Sequence, residues 1–240
     1  MYQDQKISLI LPAYNEQEHI EEAVKEFRSM GIIDEILVID NNSRDQTADL
    51  ARRAGATVIG ESKQGLGNAI LRGFNSATGD LVFVAEPDGT FVANDVWKFL
   101  AYIGDFDIVL GTRTAKELIW QGANMKFFLR VGNTTVAKML ELLFSGCSLS
   151  DCGCTFRLIR KSSLKKIMPH MTVGGSHCNP ELVIWAFRKK FKVIEIPINY
   201  RPRVGISKIT GSWKGVWRTG LGMIALILLY RLKFLIYDPR

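Results

Sequence analysis

Short apolar runs alternate with longer helical stretches along most of the chain, and this alternation restricts the fold more than any other feature. Strands alternating with helices are typical of an α/β protein, in which helices cover a mainly parallel sheet. We predict strands near residues 7–11, 35–40, 56–59, 81–85, 107–111, 155–160 and 192–198. We predict helices near residues 16–30, 45–54, 66–77, 94–103, 124–144, 179–190 and 213–235. A chain of 240 residues has room for one such domain with a tail.

Polar residues follow several predicted strands at the edge where α/β sheets bind ligands, beyond the carboxyl ends of the strands. The apolar run 81–85 stops at Glu86, Pro87 and Asp88, so two carboxylates lie one residue apart at a strand end. Hard oxygen ligands of this kind suit Mg²⁺ or Mn²⁺ that bridges to phosphate. The alternative is a simple turn, because Pro, Asp and Gly favour turns.

Positive charge is concentrated in the last quarter of the chain. From Trp185 onward there are twelve Lys or Arg residues and two acidic residues, whereas the net charge of the whole chain is +7. The basic end is therefore a candidate surface for phosphate, anionic lipid or nucleic acid. Because its basic residues are interleaved with a long apolar stretch, we expect no nucleic-acid partner.

The carboxyl-terminal tail has the composition of a membrane-interface helix. Twelve uncharged residues separate Arg218 from Arg231, and about 18 Å of helix is too short to cross a hydrocarbon core of about 30 Å. Aromatic and basic residues flank the run, so we expect a helix that lies on the membrane or inserts partly into it. A tilted crossing by residues 216–237 and docking onto a membrane protein partner are the alternatives. The amphipathic stretch 124–144 either packs on the core or also meets the interface.

The first six residues are polar and carry no apolar signal core, so we expect the protein to stay at the cytoplasmic face of the membrane. The cysteines lack zinc-site spacing, and we expect them to be free thiols. We divide the chain into a catalytic body, residues 1–208, and an interface helix, residues 209–240, with a hinge at 209–215.

The strand-end motifs occur in a distinctive order. Residues 12–16 read PAYNE, residues 39–47 read IDNNSRDQT, residues 65–69 read GLGNA, and Glu86 and Asp88 come next. With Gly111, Thr112 and Arg113, and with residues 151–157, this set resembles the family 2 glycosyltransferases of the GT-A fold. It is most similar to the dolichol-phosphate mannosyltransferase group and related polyprenyl-phosphate glycosyltransferases. The resemblance covers residues 7–208 and implies a mixed, mainly parallel sheet flanked by helices, with amphipathic membrane-interface helices.

The resemblance implies a nucleotide-sugar donor, either a GDP-sugar or a UDP-sugar, and a Mg²⁺ or Mn²⁺ cofactor. The implied donor-binding residues are Pro12, Ala13, Tyr14, Glu16, Asp40, Asn42, Gly65, Gly67, Glu86, Pro87, Asp88 and Lys208. The implied metal ligands are Glu86 and Asp88, with Thr90 as a further ligand. Three positions depart from the family pattern: Asn41 and Glu86 stand where aspartates are common, and Thr155 stands where glycine is usual before Phe156.

The resemblance also implies a polyprenyl or dolichyl phosphate acceptor, which is already anionic and needs cations more than a base. We expect Arg113, Arg130 and Arg203 to hold the acceptor phosphate, and we count Asp88, Arg113, Asp151 and Glu181 as catalytic. The runner-up is transfer to a glycan or glycolipid hydroxyl with Asp151 or Glu181 as base. Asp151 could instead be a structural ion-pair partner of Arg157. A noncatalytic membrane adaptor that keeps the fold is the third possibility.

Overall fold

The protein is described from a computed structural model, which defines residues 1–123, 127–203 and 213–237. The strands are β1 (Ile7–Ala13), β2 (Glu35–Asp40), β3 (Thr57–Gly60), β4 (Leu81–Val84), β5 (Ile108–Thr112), β6 (Arg157–Arg160) and β7 (Val193–Pro197). The helices are α1 (Ile20–Ser29), α2 (Thr47–Arg53), α3 (Leu66–Ser76), α4 (Val96–Ile103), α5 (Phe127–Phe144), α6 (Lys161–Ile167), α7 (Cys178–Arg188) and α8 (Trp213–Ile236). Three short 3₁₀ turns connect some of these elements.

The seven strands form one sheet with the order β3-β2-β1-β4-β6-β5-β7. All neighbouring pairs are parallel except those of β6, which runs antiparallel to both β4 and β5. Every residue of β1 and β4 is buried, as expected for central strands that are covered on both faces. The predicted α/β fold with a mixed, mainly parallel sheet is confirmed.

Two apolar cores lie on the two faces of the sheet. On one face, α1 and α4 pack through side chains such as Phe27 and Phe99. On the other face, α3, α5, α6 and α7 pack, and α8 joins this layer through Met223, Ile227 and Tyr230. The sheet edge at the carboxyl ends of the strands is therefore enclosed mainly from the side of α5 and α8.

The helix α8 has one packed face and one exposed apolar face. Tyr230 and Phe234 pack against Trp185 of α7 in edge-to-face contacts. Leu221, Leu228, Leu229, Leu232, Leu235, Ile236 and Tyr237 are each at least half exposed. In the part of the chain that the structure describes, one segment, Trp217–Ile236, is long and apolar enough to cross a membrane by length and composition.

The sequence did not predict α6, which follows β6 directly. The helix has only seven residues, and three lysines interrupt its apolar pattern. Its buried face consists of Ser163, Leu164 and Ile167. Such a short segment is marginal by itself and depends on packing against the sheet.

Candidate active site

A cavity of about 630 Å³ opens at the carboxyl edge of the sheet. Its polar part contains the carboxylates Glu16, Glu86 and Asp88 together with Arg113 and Arg203. Its apolar part is formed by residues of α5 and α8, which include Leu129, Val136, Leu221, Met223 and Ile224. The predicted residues Pro12, Ala13, Tyr14, Gly65, Pro87 and Thr90 also line it.

Reciprocal hydrogen bonds join the loops after β1 and β2. The Asn15 backbone N–H donates to Ser43 Oγ at 3.0 Å, and the Arg44 N–H donates to Asn15 Oδ1 at 2.8 Å. The Glu16 N–H donates to Thr47 Oγ1 at 2.8 Å. Asn15 adopts a positive φ of 52°, a conformation that asparagine tolerates better than most residues. These bonds hold Glu16 at the mouth of the cavity.

Asn41 organises one wall of the cavity, a contribution that sequence reasoning missed. Its buried side-chain amide donates to the carbonyl oxygens of Glu61 and Lys63 at 3.0 and 2.7 Å. Its Oδ1 accepts from the Gly65 N–H at 2.7 Å. An ionised aspartate could not donate to either carbonyl. The available signal was the asparagine itself, at a position where the family commonly has aspartate.

Asp40 precedes Asn41 at the end of β2. Within the described residues, its buried Oδ1 atom has no hydrogen-bond partner. A buried carboxylate oxygen without a partner is energetically costly, and a nucleobase N–H or ribose hydroxyl would satisfy it. Asp40 does not line the cavity, so its assignment to donor binding stays a prediction, supported by this oxygen without a partner.

Each carboxylate of the acidic pair is oriented by a threonine. Thr155 Oγ1 donates to Glu86 Oε1 at 2.7 Å, and Thr90 Oγ1 donates to Asp88 Oδ1 at 2.6 Å. The Thr90 N–H also donates to Asp88 Oδ1, at 3.1 Å. In this arrangement Thr90 orients a carboxylate, and its assignment as a metal ligand stays a prediction.

The guanidinium of Arg203 lies among the three cavity carboxylates. Its Nη1 is 2.9 Å from Asp88 Oδ2 and 4.0 Å from Glu86 Oε2, and its Nη2 is 3.3 Å from Glu16 Oε1. We expected Arg203 at an acceptor phosphate, but here it is the counter-ion of the acidic pair. Its predicted contact with acceptor phosphate would require a different arrangement of these groups.

The same geometry tests whether the acidic pair suits a divalent cation. Glu86 Oε2 and Asp88 Oδ2 converge on one positive group, the Arg203 Nη1. Burial and the neighbouring Asp88 carboxylate raise the pKa of Glu86, so added positive charge here would be stabilising. The described residues contain no group of three or more His, Cys, Asp or Glu that could hold a metal. Proteins usually bind Mg²⁺ through one or two carboxylates, and substrate phosphates complete the coordination. Glu86 and Asp88 fit this arrangement.

Arg113 is held in the cavity by a buried carboxylate. Asp151 Oδ2 accepts from Arg113 Nε at 2.7 Å, and Oδ1 accepts from Nη2 at 2.9 Å. Burial acts to lower the pKa of Arg113, but the charge and hydrogen bonds of Asp151, together with the nearby Cys154 and Tyr200, raise the pKa well above its usual value. Asp151 pairs with Arg113 instead of Arg157, whose guanidinium donates to the Cys154 and Thr155 carbonyls.

A half-buried carboxylate fixes the loop that carries Asp151. Glu195 on β7 accepts from the Ser150 N–H and Oγ at 2.7 and 2.6 Å, and from the Asp151 N–H at 3.0 Å. Burial raises the pKa of Glu195 despite these hydrogen bonds. Asp151 itself does not line the cavity and already accepts four hydrogen bonds. The interpretation of Asp151 as a base is therefore corrected: it positions Arg113.

Glu181 likewise lies outside the cavity lining. It is fully buried on α7 and accepts from the backbone of Thr172 and Val173 and from Tyr230 Oη. In this structure its carboxylate is a structural acceptor, and the geometry gives no support to its prediction as a catalytic residue. Helix start signals could not reveal which loop the side chain would face.

The remaining predicted residues lie around the cavity. Arg130 is half-buried on α5 but does not line the cavity, so its assignment stays a prediction. Asn42 donates to the Ser62 carbonyl at 2.6 Å, outside the cavity lining. Gly67 does not line it either and packs on a neighbouring loop. Lys208 lies outside the described residues.

Two cavity residues near Arg113 were not predicted. The Tyr200 ring lies under the Arg113 guanidinium, 5.3 Å from its carbon. Asn133 of α5 approaches Gly153, where an added Cβ would be 3.1 Å from Asn133 Oδ1 and 3.3 Å from Arg113 Nη2. Since both contacts join segments distant in sequence, no local pattern could have revealed them.

Residues 8–168 match the family model described as glycosyl transferase family 2. The chain belongs to this family. Among curated relatives, the family 2 chain is 28% identical over 218 residues to the low-salt glycan biosynthesis hexosyltransferase Agl6 of Haloferax volcanii, covering 88% of this chain. It spans about half, 51%, of that relative. It is 31% identical over 211 residues to an uncharacterized glycosyltransferase of Mycobacterium tuberculosis, covering 87% of this chain and 92% of the relative.

Solved structures of similar fold include glucosyl-3-phosphoglycerate synthase from Mycobacterium tuberculosis. Its complex with Mn²⁺, UDP and glucosyl-3-phosphoglycerate has a TM-score of 0.74 and 18% identity, covering 95% of this chain and 80% of that chain. Its complex with Mg²⁺ and UDP has a TM-score of 0.72 and 19% identity, covering 95% and 79%. At this identity the likeness establishes the fold, which agrees with the predicted GT-A architecture.

The comparisons confirm the coarser prediction, a family 2 glycosyltransferase. The prediction of Mg²⁺ or Mn²⁺ agrees with the ions that accompany UDP in these structural neighbours. The narrower likeness to dolichol-phosphate mannosyltransferases is a separate question, because it depends on the acceptor.

Proposed function

We propose that this family 2 glycosyltransferase transfers a sugar, with inversion, from a nucleotide-sugar to a polyprenyl or dolichyl phosphate at the cytoplasmic face of a membrane. The observation that carries the proposal is a continuous cavity with the acidic pair and Arg113 in its polar part and apolar side chains of α5 and α8 as its other walls. A phosphate attached to a long hydrocarbon chain likewise has an anionic end, which suits the polar part of the cavity, and an apolar tail, which suits the apolar walls. Residues 1–208 are the catalytic body, and residues 209–240 contact the membrane.

On the donor side, Glu86 and Asp88 would hold Mg²⁺ or Mn²⁺. When bound, such an ion stabilises the negative charge of the departing nucleoside diphosphate. Asn41 and the Gly65 loop shape the wall beside it, and Asp40 supplies an acceptor for the nucleoside. UDP in the structural neighbours makes UDP-sugars the first donors to test, with GDP-sugars second.

On the acceptor side, Arg113 supplies a cation beside an apolar wall. Among the described residues that line the cavity, the carboxylates are Glu16, Glu86 and Asp88, and Arg203 contacts all three. In this proposal Glu86 and Asp88 hold the metal and Glu16 pairs with Arg203, so none of the three is assigned as the base for a hydroxyl. A phosphate monoester is already anionic at neutral pH and requires no such base.

The exposed face of α8 supports contact with a bilayer. Leu229, Leu232 and Leu235 are 64%, 55% and 66% exposed, and Arg231 and Lys233 are exposed among them. Apolar side chains beside basic ones suit an interface with anionic lipids. A membrane protein partner would use the same face.

Transfer to a hydroxyl is the second candidate. Structural neighbours of similar fold are complexes with phosphoglyceric acid or glycerol 3-phosphate. A small phosphorylated acceptor would use Arg113 in the same way, but would leave the apolar wall of α5 and α8 without a ligand.

The experiment is a transfer assay with purified protein in detergent. Candidate UDP- and GDP-sugars are combined with Mn²⁺ or Mg²⁺ and one of three acceptors: a short polyprenyl phosphate, the polyprenol of the same length, or phosphoglyceric acid. We expect sugar transfer to the polyprenyl phosphate and to neither of the other two acceptors. Transfer to the polyprenol or to phosphoglyceric acid, without transfer to the polyprenyl phosphate, would refute the lipid-phosphate acceptor. If the protein binds nucleotide but neither transfers the sugar nor hydrolyses the donor, the noncatalytic adaptor would be favoured.

A further inference from the structure

Glu181 joins the carboxyl-terminal helix to a loop on the donor side of the cavity. Tyr230 Oη of α8 donates to Glu181 Oε1 at 2.6 Å in a buried contact. The same oxygen accepts from the Thr172 N–H and Thr172 Oγ1, each at 2.9 Å, and Glu181 Oε2 accepts from the Val173 N–H at 3.0 Å. Because the carboxylate is fully buried, four donors from two separate elements satisfy it.

The loop held by Glu181 lies directly against the start of α3. The Asn68 N–H donates to the Gly174 carbonyl at 3.1 Å. A Cβ added at Gly67 would lie 2.1 Å from the Val173 carbonyl oxygen, and one added at Gly65 would lie 2.3 Å from the Gly174 oxygen. Only glycine permits backbones to approach this closely. A displacement of the loop 172–174 would therefore be transmitted to Gly65 and Gly67.

The start of α3 is part of the donor wall. Gly65 lines the cavity, and its N–H donates to the buried Asn41 at 2.7 Å. At the other end, α8 lines the acceptor side through Met223 and Ile224 and contacts Glu181 two turns later through Tyr230. Tightly packed groups connect the two sides of the cavity without passing through the reacting groups.

We infer that Glu181 is a positioning residue that couples α8, the acceptor-side helix, to the Gly65 loop, the donor-side wall. The inference rests on the proposed function for the identity of the two sides. When α8 is seated, the Tyr230 hydroxyl completes the hydrogen bonding of Glu181, the loop 172–174 is fixed, and the Gly65 loop is held in place for the nucleotide. Coupling of this kind is reciprocal, so nucleotide binding also favours the seated helix.

The principal test is Tyr230→Phe, which removes one hydroxyl and keeps the ring. Glu181 retains its three loop donors in this variant, so the fold is expected to persist. The matched control is Tyr102→Phe on α4, on the other face of the sheet. Amide hydrogen exchange without ligand should become faster at Thr172, Val173 and Asn68 in Tyr230→Phe only, by about three- to tenfold, the effect of losing one hydrogen bond. An unchanged exchange rate at Asn68 would overturn the coupling.

The second readout is nucleotide binding. Titration calorimetry with UDP or GDP in the presence of Mn²⁺ should give a Kd about three- to tenfold higher for Tyr230→Phe than for Tyr102→Phe. The donor KM should rise, with kcat at saturating donor close to that of the control. A fall in kcat alone would contradict positioning of the donor loop. If Tyr230→Phe does not fold, Thr172→Val is the substitute, because it removes a hydrogen-bond donor from the loop side of Glu181. It should give the same faster exchange at Asn68. An Asn68 exchange rate equal to that of wild type in Thr172→Val would refute the coupling. Wild-type protein that binds neither nucleotide would count against the proposed function, whereas exchange measured without ligand decides the coupling independently.

Discussion

Asp151 is buried behind Arg113 and accepts two hydrogen bonds from its guanidinium, at 2.7 Å from Nε and 2.9 Å from Nη2. The guanidinium also lies over the Tyr200 ring, 5.3 Å from its centroid. Arg113 therefore enters the cavity in one orientation, set by a carboxylate that does not itself line the cavity. Arg113 is the member of the pair that lines the cavity, and Asp151 acts on the cavity only through it.

Asp151→Asn should lower kcat/KM for the acceptor by about tenfold to a hundredfold, because a charge-assisted pair is lost and Arg113 is no longer fixed. The measurement is steady-state transfer with varied acceptor. Asp49→Asn, which disrupts an exposed pair with Arg52, is the matched control and should have little effect. If Asp151 acts through Arg113, Asp151→Asn should cost little further activity in an Arg113→Gln background. Additive losses would instead indicate an independent catalytic function.

Arg203 and the metal ion should compete for the carboxylates Glu86 and Asp88. Loss of a residue that only orients a metal ligand usually weakens metal binding by roughly tenfold to hundredfold. Asp88→Asn should weaken Mn²⁺ binding by more than this, because Asp88 is itself a predicted ligand. Arg203→Met should strengthen Mn²⁺ binding without nucleotide by about two- to fivefold, since a cation leaves the carboxylates. Electron paramagnetic resonance of free Mn²⁺ measures both. Weaker binding in Arg203→Met would show that Arg203 does not oppose the metal.

The stability of the α8 contact should decrease in mild acid. The His177 ring packs against Gly222 of α8, where an added Cβ would be 2.1 Å from Nε2. Burial lowers the pKa of His177, an effect that the Thr219 backbone partly opposes and the Arg218 charge reinforces. The unfolded chain therefore binds this proton first, and the stabilisation, present above a pH of about 6.5, is lost as the pH falls through the folded pKa. His177→Gln should lose less stability than wild type between pH 7.5 and pH 5.5 in urea unfolding. Equal losses would exclude His177 as the source.

The exposed face of α8 should determine membrane binding. Leu232→Glu should reduce cosedimentation with anionic lipid vesicles about tenfold or more, because it places a charge in an apolar contact. Trp97→Glu is a suitable control, since Trp97 is 45% exposed on α4, on the opposite face of the sheet. Both variants should keep the nucleotide affinity of wild type. Normal vesicle binding by Leu232→Glu would mean that α8 meets a protein partner or another surface.

Much of the fold could be predicted because its signals are local. Fully buried strands such as β1 and β4 read as short apolar runs, and glycine and proline mark the turns between elements. The antiparallel pairing of β6 could not be predicted, because a four-residue strand looks the same in either direction. The helix α6 was missed for a related reason: its seven residues depend on the sheet for stability.

The candidate site shows the same division. Glu86 and Asp88 were predicted at the end of β4, and the structure brings them together with Glu16 from the end of β1. The same reasoning overvalued Asp151 and Glu181, because a buried structural carboxylate and a catalytic one are the same residue type in a sequence. Their hydrogen-bond donors come from segments that no spacing rule connects.

The sequence by itself determined the α/β class, the edge of the sheet that carries the polar groups, the acidic pair and the apolar, basic tail, since each depends on neighbouring residues or on the order of motifs. Only the tertiary structure decided that Asp151 orients Arg113, that Arg203 lies among the carboxylates and that Glu181 connects α8 to the loop 172–174. Those relationships depend on burial and on which distant donor reaches which oxygen. In a protein interior, a carboxylate's partners determine its function more than its position in the chain does.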